Sequence, residues 1–453
     1  MPTYLPHTPA EDEAMLAFLG MTSMDELFAH LPAAVRLAGG LDLPPGRSEL
    51  DVLDDMSALA GRNAAATMTC FAGAGAYDHE IPPVVRALAS RSEFVTAYTP
   101  YQPEVAQGVL QALFEYQTLV SRLSGLPIAN ASLYDGAAAL VESLNLAAGA
   151  QGRSRIVLSS GVHPHWRAAA RTFAAGTGHQ IEESPLVEGV TQWPTAPGEG
   201  VAAVVVAYPN YLGYLEDLDA ARALADASGA LLIVAIDPVA AALVRSAASW
   251  GADVVIGEGQ PFGTPLSFGG PYLGLFAVRE DLVRRLPGRI VGETLDAAGR
   301  RAFVTTLRAR EQDIRRERAT SNVCTNQTLM AVTAAVQLGW LGSQGLREVA
   351  ERCASGAHEL FERALKIPGV APYAPAPFVR EFALRLDRPA REVLASMAEH
   401  GVLGGVAARS LVGEGDASLS PGGEDVVIVT VTERHRAPDL DAYEAALRAA
   451  VAR

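Results

Sequence analysis

A carboxylate and a glycine-rich loop stand where bound molecules are usually held. Asp237 ends the apolar run LLIVAI, and the loop at residues 257 to 263 follows the next apolar run, ADVVI. Open α/β sheets bind ligands at the carboxyl ends of such strands. Because an unpaired buried charge is costly, Asp237 must meet a cation or hydrogen-bond donors. The two features therefore predict a ligand site at one edge of a sheet.

The spacing of Asp237 and this loop suits a pyridoxal-phosphate enzyme, but the reactive residue is missing. In such enzymes an aspartate pairs with the pyridinium nitrogen, and a lysine on the loop after the next strand forms the Schiff base. Of the chain's 36 basic residues only Lys366 is a lysine, and it is most simply a surface residue. Arginine stays protonated and cannot substitute for lysine in this chemistry. A self-sufficient pyridoxal enzyme is therefore disfavoured.

The same loop partly resembles a dinucleotide-binding motif. Gly257, Gly259 and Gly263 follow the apolar run, but the motif needs a helix behind it to hold the pyrophosphate. Residues 264 to 271, TPLSFGGP, disfavour helix formation. A nicotinamide dehydrogenase is therefore also disfavoured.

The amino-acid composition limits the classes of molecule that the chain is expected to bind. The chain has 453 residues, 49% of them hydrophobic, and a net charge of -15, which disfavours nucleic acid and anionic membrane as partners. Cys70, Cys324 and Cys353 lie far apart without CxxC spacing, so neither a zinc site nor a disulfide framework is expected. No signal peptide or membrane-spanning run is evident. The composition predicts a cytoplasmic protein with reduced thiols, no metal, and small molecules or proteins as partners.

The elements that must position these residues form a three-part pattern. Residues 1 to 70 read as a helical arm, and from 71 to 320 apolar runs alternate with helical stretches. This alternation is typical of a mostly parallel sheet covered on both faces. From 321 to 453 the pattern predicts a linking helix and then strand, helix, strand, helix. The chain is therefore expected to have a large α/β domain and a small C-terminal α+β domain.

Long strings of residues resemble the glycine cleavage system P-protein family. They are SNVCTNQTL at 321 to 329 with LRAREQDIRRERAT before it, the stretch AGAGAYDHEIPPVVRALASRSEFVTAYTPYQPEVAQGVLQALFEYQTLVSRLSGL at 73 to 126, NASLYDGAAAL, and GEGQPFGTPLSFGGPYLGLFAVR. The resemblance extends over nearly the whole chain from about residue 10. It implies a fold-type-I, aspartate aminotransferase-like architecture. In many bacteria this glycine decarboxylase is split into two homologous subunits, and the chain looks like the first, or alpha, subunit.

The resemblance also implies where the cofactor is bound. It places the cofactor lysine on the second subunit, in a His-Lys-Thr-Phe string, within an α2β2 assembly. Aligned from the shared Gly-Gly-Pro, here 269 to 271, this chain has Gly259 at the histidine, Gln260 at the lysine, Pro261 at the threonine and Phe262 at the phenylalanine. A neutral amide cannot form a Schiff base. Gln260 therefore indicates a pseudo-site without covalent pyridoxal phosphate, and a noncovalent cofactor site is the less favoured alternative.

Further residues are candidates by the same resemblance. His163 lies near where related enzymes stack an aromatic ring on the cofactor, and a structural role is favoured here because the cofactor is expected to be absent. SLYDGAAAL, at 132 to 140, resembles the start of a phosphate-binding helix. The pseudo-site is thus predicted to contain Asp237, Gln260 and His163.

Active sites of this fold class lie at subunit interfaces, so some residues could serve a partner's site. Thr320, Ser321 and Asn322 offer donors for a phosphate, with a helix N-cap as the equal alternative. Tyr98 and Tyr101, in AYTPYQPE, are candidates too, although packing is the simpler interpretation.

An arginine-rich stretch from 279 to 318 has two interpretations. Its eleven arginines are residues 279, 284, 285, 289, 300, 301, 308, 310, 315, 316 and 318. The simpler interpretation is that they pair with the chain's own carboxylates on solvated helices. The sharper hypothesis is that some of them attract an acidic lipoyl carrier.

The resemblance implies an activity for the assembly. The assembled enzyme would decarboxylate glycine and pass the aminomethyl group to the lipoamide of H-protein. Alone, this chain is expected to be inactive. The alternative is a stand-alone pseudoenzyme or regulatory binding protein of the same fold.

Overall fold

The structure is a computed structural model that describes residues 7–37, 41–196, 198–413, 416, 418–419 and 423–452. The chain divides into two compact units, Met1–Ala64 and Ala65–Arg453. The predicted boundaries at residues 70 and 320 stay predictions. Among the described residues, no helix is both long enough and apolar enough to cross a bilayer.

The first unit is helical, as predicted. Its helices are Pro9–Phe18, Met24–Leu27 and Glu49–Ala60. Thr8 and Glu11 form a reciprocal capping box at the first helix, and the Ser48 hydroxyl accepts a hydrogen bond from Asp51 N at the third. None of the described residues from 7 to 64 is buried. Local capping, rather than a core, therefore defines these helices.

A seven-stranded sheet forms the centre of the second unit. Its spatial order is Ile128–Ala129, Gly274–Val278, Val254–Glu258, Leu231–Ile236, Val201–Tyr208, Arg155–Ser159 and Gln180–Ser184. Gly274–Val278 runs opposite to the other six strands of this sheet. Every residue of the three central strands is buried, which accounts for their continuous apolar runs. The predicted, mostly parallel sheet is confirmed.

Helices cover both faces of this sheet. Alternate residues of the central strands point to opposite faces, so Val204 and Leu232 belong to one apolar cluster, whereas Val205 and Ile233 belong to another. Helices Gln107–Ser124, Leu218–Ser228 and Thr328–Ala364 contribute to the first cluster, and Gly136–Gln151 and Pro164–Thr177 to the second. Because apolar side chains cover both faces of the sheet, polar side chains can lie close together only at the ends of its strands.

A smaller antiparallel sheet has its own core. Its order is Val370–Pro372, Glu381–Leu386, Val426–Thr430 and Val406–Ala407, and helices Ala390–Glu399 and Ala437–Val451 pack with it. The predicted succession of strand, helix, strand and helix is confirmed. The preceding helix, Thr328–Ala364, is interrupted at Gly342, whose φ of 63° and ψ of -176° are not helical.

The arginine-rich stretch is not a run of helices, so that prediction is wrong. Ile290–Leu295 and Arg301–Thr306 form an antiparallel hairpin, and the helices in the rest of the stretch are short, such as the 3-10 helix Glu280–Arg285 and the four-residue helix Gln312–Arg315. The β-branched residues at 290, 291, 304, 305 and 306 favour strands over helices. The expected pairing with carboxylates is confirmed for several arginines, including Arg279 with Asp253 and Arg301 with Glu293.

Gly213 allows the loop after strand Val201–Tyr208 to approach the small sheet. Its φ is +92°, and a Cβ built on it would lie 1.9 Å from the backbone oxygen of Glu381 in the small sheet. Gly200 has a similar φ of +75° but nothing within 4 Å of its Cβ position. The two glycines therefore differ mainly in the space around them.

We expect Gly213→Ala to lower the free energy of unfolding by at least about 2 kcal/mol more than Gly200→Ala, because overpacking adds to the shared backbone strain. Urea unfolding of both variants measures the difference. Equal losses would show that the approach of this loop to the small sheet does not depend on the missing side chain.

Candidate functional site

The candidate site lies at the carboxyl ends of two central strands. Asp237 directly follows strand Leu231–Ile236, as predicted. A cavity of about 70 Å³ next to it is lined by Asp237, His163, Tyr77 and Trp166 among others. Gln260 lies two residues beyond strand Val254–Glu258 and is joined to this site through the backbone of Tyr77. The structure thus brings the three predicted pseudo-site residues together.

Asp237 is paired with an arginine from the small sheet region. Its Oδ2 accepts a hydrogen bond from Arg380 Nε at 2.5 Å, and its Oδ1 accepts from Val239 N at 2.9 Å and Ala240 N at 3.3 Å. Burial by itself would raise the pKa of Asp237, but the Arg380 guanidinium outweighs that effect and lowers the pKa below its ordinary value. The carboxylate is therefore ionised and already has its cation.

Arg380 also contacts other buried polar residues, which together form a hydrogen-bonded network. It lies over the Tyr77 ring, with 3.8 Å from Cζ to the centroid, and its NH1 donates to His79 Nε2 at 2.7 Å. His79 Nδ1 in turn donates to Glu433 Oε2 at 2.6 Å. Burial acts to raise the pKa of Glu433, but the hydrogen bond from His79 prevails and the pKa falls to about 2. These residues, distant in sequence, were not among the predicted site residues.

One group of described residues could be considered for a metal. Ligand atoms of His79, Cys353 and Glu433 all lie within 4.8 Å of one another. However, arginine can only donate, so His79 Nε2 accepts from Arg380 and the ring proton is on Nδ1. That nitrogen is the one facing Glu433, and burial raises the pKa of the Cys353 thiol. The group is therefore better described as a hydrogen-bonded network than as a metal centre.

The Gln260 side chain is fully occupied by structural hydrogen bonds. Its Oε1 accepts from Tyr77 N at 2.9 Å, and its Nε2 donates to Tyr77 O at 2.9 Å and Thr264 O at 2.8 Å. Only 1% of the residue is exposed. A lysine has no acceptor and could not replace the bond to Tyr77 N. Gln260 thus fastens the loop at residues 71 to 80 to the loop that follows strand Val254–Glu258.

Carboxylates of the chain itself occupy the start of helix Gly136–Gln151, which is the helix predicted to resemble a phosphate site. Asp135 Oδ1 accepts from Ala138 N at 2.7 Å, and Glu258 Oε2 accepts from Gly136 N at 2.9 Å. The Trp166 ring lies so close that a Cβ on Gly136 would be 2.0 Å from it. The positive end of the helix is therefore neutralised without an external anion.

Pyridoxal phosphate does not fit these residues. The carboxylate for its ring nitrogen is paired with Arg380, the helix start for its phosphate is filled by Asp135 and Glu258, and Gln260 cannot bond to it covalently. The remaining cavity of about 70 Å³ has room for only a few water molecules. These residues therefore do not support pyridoxal-phosphate chemistry on this chain.

His163 has a structural contact at each ring nitrogen. Nε2 donates to Ala74 O at 2.8 Å, and Nδ1 accepts from His165 N at 3.2 Å at the start of helix Pro164–Thr177. Burial lowers the pKa of His163 to about 4, so the ring is neutral near pH 7. These contacts agree with the structural role favoured for it.

The residues proposed to serve a partner are only partly brought together. The Tyr101 hydroxyl accepts from Arg289 NH2 at 3.0 Å, and the guanidinium groups of Arg289 and Arg308 lie over its ring at 5.2 and 5.1 Å. Asn326, which was not predicted, accepts from Arg289 NH1 at 3.3 Å. Tyr98 is 77% exposed.

The helix N-cap alternative for Thr320, Ser321 and Asn322 is wrong. The helix begins at Thr328 with Gln327 as its N-cap, so several residues of extended chain intervene. Ser321 Oγ instead accepts from Val323 N at 3.1 Å. The phosphate role of these residues stays a prediction.

Comparisons with known proteins identify the family. The family model described as glycine cleavage system P-protein matches residues 2–398. A protein of Moorella thermoacetica named probable glycine dehydrogenase (decarboxylating) subunit 1 is 44% identical over 99% of this chain and 100% of its own length. The chain belongs to the glycine cleavage system P-protein family. A Thermomicrobium roseum P-protein relative of the same name is 45% identical, with the same coverage of both chains.

Solved structures agree with this assignment. A crystal structure of the P-protein glycine decarboxylase in inhibitor-bound form matches with a TM-score of 0.90 and 44% identity over 99% of this chain and 100% of that one. A NifS-like protein matches with a TM-score of 0.62 at 11% identity, over 84% and 98%, which indicates the fold alone. The fold-type-I architecture predicted for the chain is confirmed.

The pair Arg380–Asp237 makes a testable contribution to P-protein stability. We expect Arg380→Met to cost about 3 to 5 kcal/mol, because it leaves a buried carboxylate without its cation. Adding Asp237→Asn should recover part of that loss. Urea unfolding of the two single variants and the double variant measures the coupling.

The surface pair Arg385–Asp425 is the control for this cycle, since both side chains are more than a third exposed at 3.4 Å separation. Its variants Arg385→Met and Asp425→Asn should show coupling below about 1 kcal/mol. Equal coupling in both pairs would contradict the structural role of the buried one.

Glu258 should make stability depend on pH. Burial raises its pKa from 4.5 to about 7, although hydrogen bonds from Gly136 N, Leu273 N and Gln260 N act against this. A raised acid pKa means that the folded protein holds the proton more tightly than the unfolded chain. The stabilisation is complete below pH 4.5 and is lost as the pH rises through about 7.

Relative to Glu258→Gln, which does not titrate, the wild-type chain should therefore lose up to about 3 kcal/mol between about pH 4.5 and pH 8. Urea unfolding of both proteins across this range measures the change. A difference that stays constant with pH would refute the assignment.

Proposed function

We propose that the chain is the alpha subunit of a split P-protein, which decarboxylates glycine together with a homologous second subunit. The full-length relatives named glycine dehydrogenase (decarboxylating) subunit 1 support this assignment. The word subunit in those names favours a second polypeptide. The lack of a fit for pyridoxal phosphate on this chain favours its location on that partner.

The observation that carries the proposal is the saturated amide of Gln260. It stands where the family resemblance places the cofactor lysine, and all three of its hydrogen bonds are structural. A site that had merely lost its lysine would leave space and unpaired polar groups behind. Here Arg380 pairs with Asp237, and Asp135 and Glu258 accept the hydrogen bonds of the helix start. The region that corresponds to a cofactor site thus stabilises the fold through these hydrogen bonds.

The assembly is proposed to be an α2β2 heterotetramer. Pyridoxal phosphate on the second subunit would supply the electron sink for decarboxylation. The aminomethyl group would then pass to the lipoamide of H-protein. This chain would supply half of the interface, and Tyr98, Tyr101, Thr320, Ser321 and Asn322 are its candidates for contact with the partner's site.

A cytoplasmic location is part of the same proposal. The three cysteines, Cys70, Cys324 and Cys353, are free, which suits a reducing compartment. The exposed arginines Arg315, Arg316 and Arg318 could attract the acidic lipoyl carrier.

The proposal predicts different behaviour for the chain alone and for the assembly. Purified alone and supplied with pyridoxal phosphate, the chain should show no absorbance band near about 400 to 430 nm that borohydride fixes to it. Gln260→Lys should not create one, because Arg380 still holds Asp237 and Glu258 still fills the helix start. Co-expressed with a second subunit, the chain should support exchange of glycine carboxyl with bicarbonate in the presence of H-protein.

Two results would contradict this function. A borohydride-fixed band on the wild-type chain alone would place the cofactor here after all. Failure of the chain to pull down a homologous second subunit would instead favour a stand-alone pseudoenzyme or regulatory binding protein.

A further inference from the structure

The first unit exposes a large amount of apolar surface. Of the 28 exposed large hydrophobic side chains among the described residues, 15 lie between residues 7 and 64, and none of the described residues in that range is buried. Phe18 is 91% exposed and Leu41 is 73% exposed. Fifteen such side chains present on the order of 1,000 Å² of apolar surface, which is about what one partner contributes to a stable protein interface. The first unit therefore has the surface expected of one side of an interface.

The helix Glu49–Ala60 shows this surface most clearly. Four apolar side chains with helical spacing, each between 43 and 57% exposed, form one side of it: Val52, Leu53, Met56 and Leu59. Asp51 and Asp54 lie on the opposite side, as 3.6 residues per turn requires. Helices of this kind bind a partner by laying the apolar face into an apolar groove.

The lengths of the helices in the first unit also indicate a missing support. These helices contain 10, 4 and 12 residues. Isolated helices shorter than about 12 to 15 residues are marginally stable in water, because most helical stability in proteins comes from packing of the apolar face. The capping bonds of Thr8 and Ser48 satisfy only backbone N–H groups at the start of two of the helices. A surface that covers their apolar faces is therefore required to keep them helical.

The charge of the first unit distinguishes among the partners of the proposed assembly. Residues 1 to 64 contain ten carboxylate side chains and three arginines, and the rest of the chain contains 41 carboxylates and 33 basic side chains. A second copy of this chain is thus acidic as well, and like charges disfavour it as the covering surface. The acidic lipoyl carrier is disfavoured for the same reason, and anionic membranes attract helices rich in lysine and arginine instead. Of these partners, the homologous second subunit remains.

We propose that the first unit is a docking arm that lies on the second subunit, and that its helices are stable only in that position. The apolar face of Glu49–Ala60 packs into an apolar groove of that subunit, and neutral or basic side chains border the groove. Because the exposed surface is large and apolar, the interface is permanent rather than transient. The inference rests on the proposed function, which supplies the second subunit, and adds the surface that holds it.

The binding test compares two double variants of the full chain on this helix. Leu53→Gln with Met56→Gln removes apolar contacts from the docking face, and Asp54→Gln with Ala58→Gln places two glutamines on the opposite face. Glutamine is a good helix former, so both variants keep the helix propensity. The first variant should bind the purified second subunit about 100-fold more weakly than wild type, and the second should bind within about twofold of wild type. Surface plasmon resonance with the second subunit immobilised measures the affinities.

Hydrogen exchange tests whether docking stabilises the arm, without any variant. In the full chain alone, the backbone amides of Glu49–Ala60 should exchange almost as fast as in an unfolded chain, and in the complex they should be protected about 100-fold or more. Helix Gly136–Gln151, which has nine buried residues, is the control and should be protected in both samples.

Three results would overturn the docking arm while leaving the proposed function intact. The first is equal affinity of the two double variants for the second subunit. The second is protection of Glu49–Ala60 in the chain alone, which would place the covering surface on this chain or on a second copy. The third is binding of the wild-type chain, and not of Leu53→Gln with Met56→Gln, to phosphatidylglycerol vesicles. Absence of any binding between the wild-type chain and the second subunit would instead contradict the proposed function, and the docking arm with it.

Discussion

A buried pair of opposite charges, Arg380 and Asp237, is the contact on which the candidate site depends. Removing either charge from water is expensive, and their attraction compensates only when hydrogen bonds satisfy the remaining atoms. Those bonds are present in Val239 N, Ala240 N and His79. The pair also joins the end of a central strand to a residue next to the small sheet. Its geometry therefore sets how the loop at 71 to 80 and Glu433 are placed.

The same principle explains the start of helix Gly136–Gln151. Free N–H groups at a helix start attract anions, and here two carboxylates of the chain accept their hydrogen bonds. One of them, Glu258, is almost completely buried and holds three backbone N–H groups from separate segments. The chain thus uses its own acids and bases where a cofactor-binding relative would use its ligand. This arrangement supports the proposal that the cofactor is held by a second subunit.

The fold and part of the site could be predicted from the sequence, whereas other contacts of the site could not. The difference has physical causes. Asp237 and Gln260 follow strands with clear apolar runs, so their position at one edge of the sheet could be predicted. Arg380 lies 143 residues from Asp237, and only the folded chain brings the two together. The hairpin at 290 to 306 was missed because its many charges obscured its β-branched residues. The N-cap interpretation failed because the helix starts farther along, at Thr328.

The hydrogen bonds of Gln260 have a consequence for the way the chain is made. They close a loop of 183 residues between Tyr77 and Gln260, and the contact of His79 with Glu433 closes one of 354. During synthesis from the N-terminus, the segment at 71 to 80 leaves the ribosome early. Its first anchor, the hydrogen bond of Ala74 O with His163, can form once residue 163 is made; the contacts with Gln260 follow, and the last contact, with Glu433, forms near the end of the chain. This partly buried segment therefore acquires its complete set of contacts only when the end of the chain has been made.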